Sequence, residues 1–246
     1  MSTIKNILSH FDPITLPEMD SVSLLSRVDT KFVFGTQTLK KIIKDLKNFY
    51  FVLDVNGTRV NAYKSLYFDT EDFKFYYDHH NGKTNRIKVR IREYVDSGIC
   101  YLEIKQKSNK GVTNKERVLI NEFKETLSQK NKDFLHKILD RQYDFHKKHI
   151  NKFNRITLVN KNIKERLTID LNFNFEGNNK KGTIDNMIIA EVKQEKVNYS
   201  SAFMRLIKEN GVRPFRISKY CMATASLYPN LKQNNFKPKF LHINQL

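Results

Sequence analysis

The stretch Arg86-Ile87-Lys88-Val89-Arg90-Ile91-Arg92-Glu93-Tyr94 decides the fold, because basic and apolar residues alternate along its length. Alternate residues of a β-strand point to the same side of a sheet. One face of this segment is therefore basic and the other is isoleucine and valine. The basic face is made by Arg86, Lys88, Arg90 and Arg92. The pattern predicts a strand that packs its apolar face and presents a row of cations on the other.

The same alternation recurs in five further predicted strands. Their polar faces carry cations, often with an acid two residues away, and their other faces are apolar. The residues assigned to these polar faces are Arg27, Asp29, Lys31, Tyr101, Glu103, Lys105, Lys107, Lys115, Arg117, Lys164, Arg166, Thr168, Asp170, Met187, Ile189, Glu191 and Lys193. A shared basic face on so many strands predicts one extended surface.

The remaining sequence supplies a few helices and more strands. Strands are predicted at 51–55, 59–69, 86–95, 99–107, 113–120, 155–160, 164–173 and 187–193. Helices are predicted at 36–48, 131–149, 199–210 and 218–227. Thr36 is the expected N-cap of the first helix, and turns are expected at 96–98 and 109–111. Many antiparallel strands with few helices indicate an α+β domain built on a large sheet or barrel.

A domain boundary near residue 130 would leave the second half with about three strands, which make a poor sheet alone. We therefore expect a single domain over 1–246, with its core at about 27–228. The hydrophobic fraction of 39% is enough to form a core, which argues against global disorder.

Charge and cysteine content narrow the function classes. Lysine and arginine number 44 against 26 acids, a formal net charge of +18, and such an excess favours anionic partners. The two cysteines, Cys100 and Cys221, exclude a disulfide framework and a zinc ribbon. The first 26 residues lack a signal-peptide pattern and no apolar run reaches about 20 residues. We expect no transmembrane segment and a cytoplasmic location.

The basic face has two interpretations. It is either the solvated outside of a sheet, or the inside of a closed barrel whose apolar face is covered by helices. Cations inside a barrel would need a counter-charge, and a phosphate chain supplies one because guanidinium groups bind phosphate oxygens bidentately. A triphosphate normally carries a divalent cation held by carboxylates. Glu103 and Glu191 are the expected metal ligands, with Asp29 and Asp170 as weaker candidates that could equally form ion pairs.

These residues resemble one family. Short segments in the same order along the chain, from about residue 27 to 227, are similar to the catalytic domain of the vacuolar transporter chaperone (VTC) family. That family comprises polyphosphate polymerases of the CYTH-like triphosphate tunnel metalloenzyme superfamily. The matching segments are 27–32 (RVDTKF), 65–70 (SLYFDT), 90–94 (RIREY), 102–105 (LEIK), 115–117 (KER), 166–170 (RLTID), 191–193 (EVK) and 216–220 (RISKY).

The resemblance implies an antiparallel eight-stranded β-tunnel, a closed barrel with helices packed around it. It implies transfer of the γ-phosphate of ATP to a growing polyphosphate chain, with Mn²⁺ or Mg²⁺ as cofactor held by Glu191 and Glu103. The implied catalytic residues are Lys31, Arg90, Arg92, Lys105, Arg117, Arg166 and Lys219. The implied substrate-binding residues are Lys88, Lys115, Lys193, Arg216 and Ser218.

The chain departs from the family pattern in its first strand. Arg27 and Asp29 stand where related tunnel enzymes favour two glutamates, which weakens a metal role there. Longer family members add a regulatory SPX domain and membrane helices. We therefore expect any coupling of synthesis to membrane translocation to need a partner protein.

Two other functions compete with the polymerase. A hydrolase of tripolyphosphate or nucleoside triphosphates would use the same residues with water as the acceptor. A non-catalytic nucleic-acid-binding module would also use a basic face, but Glu103 and Glu191 would repel phosphate there, so we expect no stable nucleic-acid partner. His79 and His80 are interpreted as surface residues, since adjacent histidines in a regular element rarely face one site.

Overall fold

The computed structural model describes residues 2–21, 27–109 and 112–246. The strands are β1 Pro13–Ile14, β2 Val28–Gly35, β3 Tyr50–Leu53, β4 Asn61–Asp69, β5 Arg86–Tyr94, β6 Ile99–Lys107, β7 Thr113–Ile120, β8 His146–Asn160, β9 Glu165–Gly177, β10 Lys180–Ile184 and β11 Met187–Gln194. The helices are α1 Ser2–Ser9, α2 Leu16–Ser21, α3 Thr36–Ile42, α4 Lys74–His80, α5 Gln129–Leu139, α6 Ala202–Glu209, α7 Lys219–Leu227 and α8 Lys237–Asn244.

All described strands belong to one 11-stranded sheet. Its main path has the order β2-β11-β9-β8-β4-β5-β6-β7, and β1, β3 and β10 pair beside it. Every pair is antiparallel except β1 with β3. The predicted α+β class is thus confirmed, and the main path contains the expected eight strands.

Closure of the barrel is not confirmed. The path ends at β2 and β7, and these two edges do not pair with each other within the residues described. The free edge of β2 is instead met by the segment before α7, through a bridge between Phe32 and Pro214 and a hydrogen bond from the Phe215 N–H to the Lys31 carbonyl at 2.7 Å. The hydrogen-bonded sheet is therefore an open one.

Helices cover the apolar outer face of the sheet in two places. Phe32 and Phe34 of β2 pack with residues of α1, α3 and α6 in one cluster. Val89 and Ile91 of β5 pack in a second cluster that includes Leu135 of α5. The burial of these alternate residues leaves the basic residues of β2 and β5 on the opposite face, as the alternation predicts.

The predicted helix over 131–149 is wrong at its end. α5 stops at Leu139, because Asp140 adopts a left-handed conformation (φ 47°), and 146–149 begin the 15-residue strand β8. Lysines and histidines at 146–149 look like a helical polar face, but β8 pairs with β4 and β9 on its two sides. Tertiary pairing overrides the local pattern here.

Smaller predictions at chain reversals have mixed outcomes. Thr36 is not the N-cap of α3, since Gly35 holds that position and the Thr36 hydroxyl donates to the Asn186 side chain. The turn at 96–98 is confirmed, with Gly98 at φ 67°. The turn at 109–111 lies partly outside the described residues.

His80 is only 7% exposed, so its interpretation as a surface residue is wrong. The backbone N–H of Asn235 donates to the His80 ring, and the side-chain amide of Asn235 donates to the His80 carbonyl.

Candidate functional site: a buried basic face

The basic face is concave and largely buried. Arg92 is 7% exposed and the side chain of Arg90 is 13% exposed, so these cations do not form a solvated outer surface. The charge of Glu191 on β11 acts on Lys105 on β6. A flat sheet would place those strands about 24 Å apart, beyond the range of screened interactions. The sheet therefore curls until its basic residues face one another.

Helix α7 closes one end of this concave face. Its residues Met222, Ala223 and Leu227 pack with Phe153 and Phe173 of the sheet in an apolar cluster. The basic residues lie beyond the N-terminus of α7, where the N-cap Ser218 accepts a hydrogen bond from the Cys221 N–H. A helix N-terminus carries a partial positive charge and favours an anion in front of it.

Glu103 forms the first ion-pair group of the face. Its carboxylate accepts from Arg90 Nη2 at 2.6 Å and Nε at 2.8 Å, and it also pairs with Lys115. Its side chain has no exposure to solvent. Although burial penalises the ionised form, Arg90, Arg92 and Lys115 hold the pKa of Glu103 well below its usual range. Glu103 is therefore an anion with its partners already in place.

Asp170 forms the second group, on β9. Arg155 Nε and Nη2 bind its two oxygens at 2.5 and 2.8 Å, and Lys219 at the start of α7 pairs with one of them. The Asp170 side chain is 5% exposed. Although burial opposes ionisation, Arg155 and Lys219 lower the pKa of Asp170. The structure thus uses this acid to anchor α7 against the sheet.

Glu191 forms the third group and differs in its access to solvent. Its oxygens lie 2.6 Å from Lys193 Nζ and 3.3 Å from Lys31 Nζ, and 19% of its side chain is exposed. Burial penalises the carboxylate, but Lys193 and Lys31 hold the pKa of Glu191 well below its usual value. Both partners are lysines on flexible stems, which can exchange one anion for another more readily than a bidentate guanidinium.

Several cations of the face have no carboxylate partner among the described residues. Arg92 donates to the Ser65 hydroxyl at 3.1 Å, and Lys88 donates to the Ser218 hydroxyl at 3.2 Å. Lys105 has neither an ion pair nor a hydrogen bond within that part of the chain. Burial first, and then the charge of Arg90, lower the pKa of Lys105 to about 6. Arg92 thus keeps a charge that no carboxylate neutralises, and Lys105 holds a proton poorly until a counter-charge is present. Both conditions are relieved by an anion, so the face is suited to receive one.

Aromatic rings support the guanidinium groups from below. The Tyr63 and Phe153 rings stack at 5.2 Å, and both Arg92 and Arg155 lie over this pair at 5.0–5.7 Å. Tyr67 accepts a hydrogen bond from Arg90 Nη1 at 3.1 Å. Cation–π contacts hold planar guanidinium groups in fixed orientations without neutralising them. The charge of Arg92, which no carboxylate of the described residues neutralises, therefore remains available to a ligand.

The predicted site residues fall into two sets. Lys31, Arg90, Arg92, Lys105, Lys219, Lys88, Lys115, Lys193, Ser218, Glu191 and Glu103 line the concave face together. Arg117 lies opposite Glu103 in the β6–β7 register and so shares that face, but it is exposed on the outermost strand and lies over the Tyr101 ring at 4.4 Å. Arg166 lies opposite Lys193 and shares the face too, and its Nη2 donates to the Met19 carbonyl at 2.9 Å. Arg216 is exposed just before the start of α7. Asp29 pairs with Arg27 at an exposed position.

Arg155 is the main site residue that the sequence predictions missed. It opens the strand predicted at 155–160 and lies directly opposite Asp170 in the β8–β9 register. The alternation of Arg155 and Thr157 with the apolar residues Ile156 and Leu158 could have assigned it to the same polar face. The error over 131–149 hid the long strand to which this pair belongs.

The donor set for a divalent cation is small. No group of three or more His, Cys, Asp or Glu side chains with metal-binding geometry occurs in the described residues. Glu103 and Asp170 are fully engaged by arginine and lysine, so they do not fit a ligand role. Glu191 fits, because it is partly exposed and Mg²⁺-type ions use one or two carboxylates together with substrate phosphates.

The fold and site define a class: α+β proteins in which a curved antiparallel sheet carries buried cations on its concave face. The VTC domain family model matches residues 26–228. The chain belongs to the VTC domain family, which confirms the resemblance found in the sequence motifs. No curated protein matched this chain.

One solved structure shares the fold at low sequence identity, and a second gives a lower TM-score. A candidate adenylyl cyclase from Hippeastrum, described as having a dominant triphosphatase activity, is 14% identical with a TM-score of 0.52, and the match covers 81% of this chain and 96% of that one. A candidate adenylate cyclase from Bacillus halodurans is 13% identical with a TM-score of 0.48, covering 78% and 94%. Within the described residues, no helix is both long and apolar enough to cross a membrane.

Proposed function

We propose that the concave face binds a triphosphate and that this chain is a polyphosphate polymerase, which transfers the γ-phosphate of ATP to a growing polyphosphate chain. The observation that carries the proposal is the set of largely buried basic side chains that have no carboxylate partner among the described residues, above all Lys105 and Arg92. A phosphate chain has a negative charge on every unit and matches a row of such cations. Membership of the VTC domain family supports the same activity.

We also propose that 1–246 act as one domain around this face. One sheet contains strands from both sides of residue 130, since β8 pairs with β4 and β11 pairs with β2. The site draws on both parts too: Lys219 and Asp170 come from the second, and Arg90 and Glu103 from the first.

In phosphoryl transfer the protein aligns the two reactants and neutralises the charge of the transferring group, and it need not form a covalent bond to the substrate. In the proposed reaction, an oxygen of the acceptor phosphate forms a bond to the γ-phosphorus as the bond to the bridging β–γ oxygen breaks, and ADP leaves. Arg90 and Arg92 are fixed by Tyr67 and Ser65 and would bind the transferring group. Lys105 and Lys193 would neutralise charge that develops on the oxygens.

A Mn²⁺ or Mg²⁺ ion would neutralise the triphosphate oxygens and polarise the transferred phosphoryl group. Glu191 is the residue that would hold it. Lys31 and Lys193 now bind the Glu191 carboxylate, and on ligand binding they would turn to the phosphates. Lysine side chains have the freedom for this exchange.

The second candidate is a triphosphatase, in which water replaces the acceptor phosphate. The structural similarity to the Hippeastrum protein brings this activity into consideration, although that similarity is one of fold. The two reactions share the nucleotide, the metal and the cationic residues. They differ only in the acceptor, so their products distinguish them.

The test is to incubate the purified protein with ATP and Mn²⁺ and to resolve the products by gel and by phosphate assay. Long-chain polyphosphate supports the polymerase, and free phosphate without chain product supports the triphosphatase. The variant Arg92→Met should abolish either product, and Lys147→Ala, at an exposed lysine paired with Glu125, should not. Absence of both products together with unchanged tripolyphosphate binding in Arg92→Met would reject the proposal.

A further inference from the structure

A second group of basic side chains lies beside the residues that the proposed reaction uses. It consists of His79 on α4, Arg86 on β5 and Lys239 on α8, and we call it the outer basic cluster. Lys239 donates to the Arg216 carbonyl and Lys88 donates to the Ser218 hydroxyl two residues further on, which places α8 beside β5, and α4 packs against β5 as well. Burial and the charges of Lys88, Arg86, Lys239 and Lys31 lower the pKa of the His79 ring. Lys88 and Lys31 line the concave face as well, so the cluster is continuous with it.

The cluster has no carboxylate partner in the part of the chain that is described. Asp78, the neighbour of His79, is already bound by Lys74 and Lys83 at 2.6 and 2.8 Å. Arg86 Nε is buried and has no hydrogen-bond partner among the residues that the structure describes. A buried, unpartnered guanidinium nitrogen is costly unless a ligand supplies an acceptor. This orphan donor is the observation that points to an anion.

The position of Lys239 is fixed by the packing of α8. Its ammonium group donates to the Arg216 carbonyl, beside the strand-like segment that meets β2. The ring of His242, one turn further along α8, stacks on Phe215 with centroids 4.3 Å apart. Ile243 is buried in the cluster that α7 forms with the sheet. The helix therefore holds Lys239 against the concave face.

Residue 239 lies beyond the segment 26–228 matched by the family model. The outer basic cluster thus combines a C-terminal helix of this chain with two residues from within the matched domain. Burial and the surrounding cations lower the pKa of His79 to about 2, so its ring is neutral at physiological pH and can donate from a ring N–H. Neutral and cationic donors together suit phosphate oxygens.

We propose that the outer basic cluster is a second phosphate subsite, which holds the part of a linear polyphosphate chain that extends beyond the triphosphate bound on the concave face. The inference rests on the proposed function and adds a substrate preference to it. Lys88 and Lys31 lie between the concave face and the outer basic cluster. A polyphosphate chain can therefore extend from one to the other and contact basic side chains along its whole path. Chains longer than three phosphates should therefore bind more tightly than tripolyphosphate.

The experiment measures the affinity of the full chain for tripolyphosphate and for long-chain polyphosphate at fixed ionic strength. Lys239→Ala should weaken binding of the long chain about tenfold, the effect of losing one charge-assisted contact, and leave tripolyphosphate binding within about twofold. Lys239→Arg should restore long-chain binding. Lys237→Ala is the matched control, because it removes the same charge from an exposed position on the same helix.

Arg86→Gln provides an independent variant on β5 in case Lys239→Ala displaces α8. It should show the same selective loss for the long chain. Equal losses for both ligands, or no loss for the long chain in either variant, would overturn the subsite. A wild-type protein that binds both ligands equally would also overturn it while leaving the proposed function intact. A wild-type protein that binds neither would reject the proposed function itself.

Discussion

Two glutamates on the same concave face, Glu103 and Glu191, have opposite surroundings. Glu103 has no solvent exposure and is bound by a bidentate arginine and a lysine, whereas Glu191 keeps 19% exposure and is bound by two lysines. A carboxylate of the first kind balances charge within the fold. One of the second kind can exchange its partners for a ligand or metal. Equivalent residues in a sequence pattern therefore acquire different roles from burial and partner type.

The largest effect is expected at Glu103. Glu103→Gln leaves Arg90 and Lys115 without their counter-charge in a buried place, and removal of one partner from such a group costs about 3–5 kcal/mol of unfolding free energy. Because the folded-state pKa of Glu103 is lowered, its contribution is present above the unfolded pKa and is lost as the pH falls through the folded value. Urea unfolding of both proteins at neutral and acid pH measures the difference, which should shrink on acidification.

Added tripolyphosphate sharpens this test. The ligand would supply the missing negative charge, so it should raise the melting temperature of Glu103→Gln more than that of the wild type. An equal rise in the two proteins would contradict the view that Glu103 and the ligand neutralise the same cations.

A smaller effect, on activity rather than stability, is expected at Glu191. Glu191→Gln should lower metal-dependent turnover of ATP by about 100-fold and destabilise the fold less than Glu103→Gln does, because the two lysines that it leaves unpaired are closer to solvent. Turnover is measured across a Mn²⁺ titration, and stability by urea. Loss of stability as great as that of Glu103→Gln, with normal turnover, would reverse the roles that we assign to the two residues.

Lys105 is on the same strand and face as Glu103 and should show a smaller effect than either glutamate. Lys105→Met is expected to weaken tripolyphosphate binding about tenfold, since it removes one charge-assisted contact. A pKa of about 6 leaves Lys105 mostly neutral in the free protein at neutral pH, and a bound polyanion would raise it. Wild-type binding should therefore take up protons near pH 7.5, as calorimetry in buffers of different ionisation enthalpy would detect. The variant should take up fewer.

The same shift has a consequence for stability with a defined sign. A lysine whose folded pKa is lowered destabilises the fold increasingly as the pH falls from its unfolded pKa, about 10.4, to its folded pKa. Lys105→Met should thus be more stable than the wild type at pH 7, with a smaller advantage at pH 10. A variant less stable than the wild type at both pH values would show that Lys105 already has a counter-charge.

The smallest effect is expected at Arg117. It is exposed at the edge strand β7, and its guanidinium group lies over the Tyr101 ring. Exposed charges are screened by water and salt, so Arg117→Ala should weaken tripolyphosphate binding about two- to threefold at low salt. The effect should vanish at high ionic strength. A tenfold loss that persists in high salt would show instead that Arg117 contacts the bound triphosphate directly.

The sequence predicted the strands that carry the face because period-two alternation is a local property. The segments around Arg86–Tyr94, Ile99–Lys107 and Met187–Gln194 agree with the structure to within about a residue. It did not predict that 146–149 begin a strand, since that outcome depends on pairing with β4 and β9. Nor did the sequence indicate α4 and α8, which carry His79 and Lys239 of the outer basic cluster.

By itself, the sequence determined the class of fold, the basic face and the family motifs, since each depends on residue type and short-range spacing. Only the tertiary structure decided which acid is enclosed and which is accessible, because that depends on the curvature of the sheet and on the place where α7 packs. It also brought Arg155 to Asp170 and Lys239 towards His79, pairs that are distant in sequence. Burial and the distance between charges arise from the assembled fold, so they decide the roles of residues that look alike in sequence.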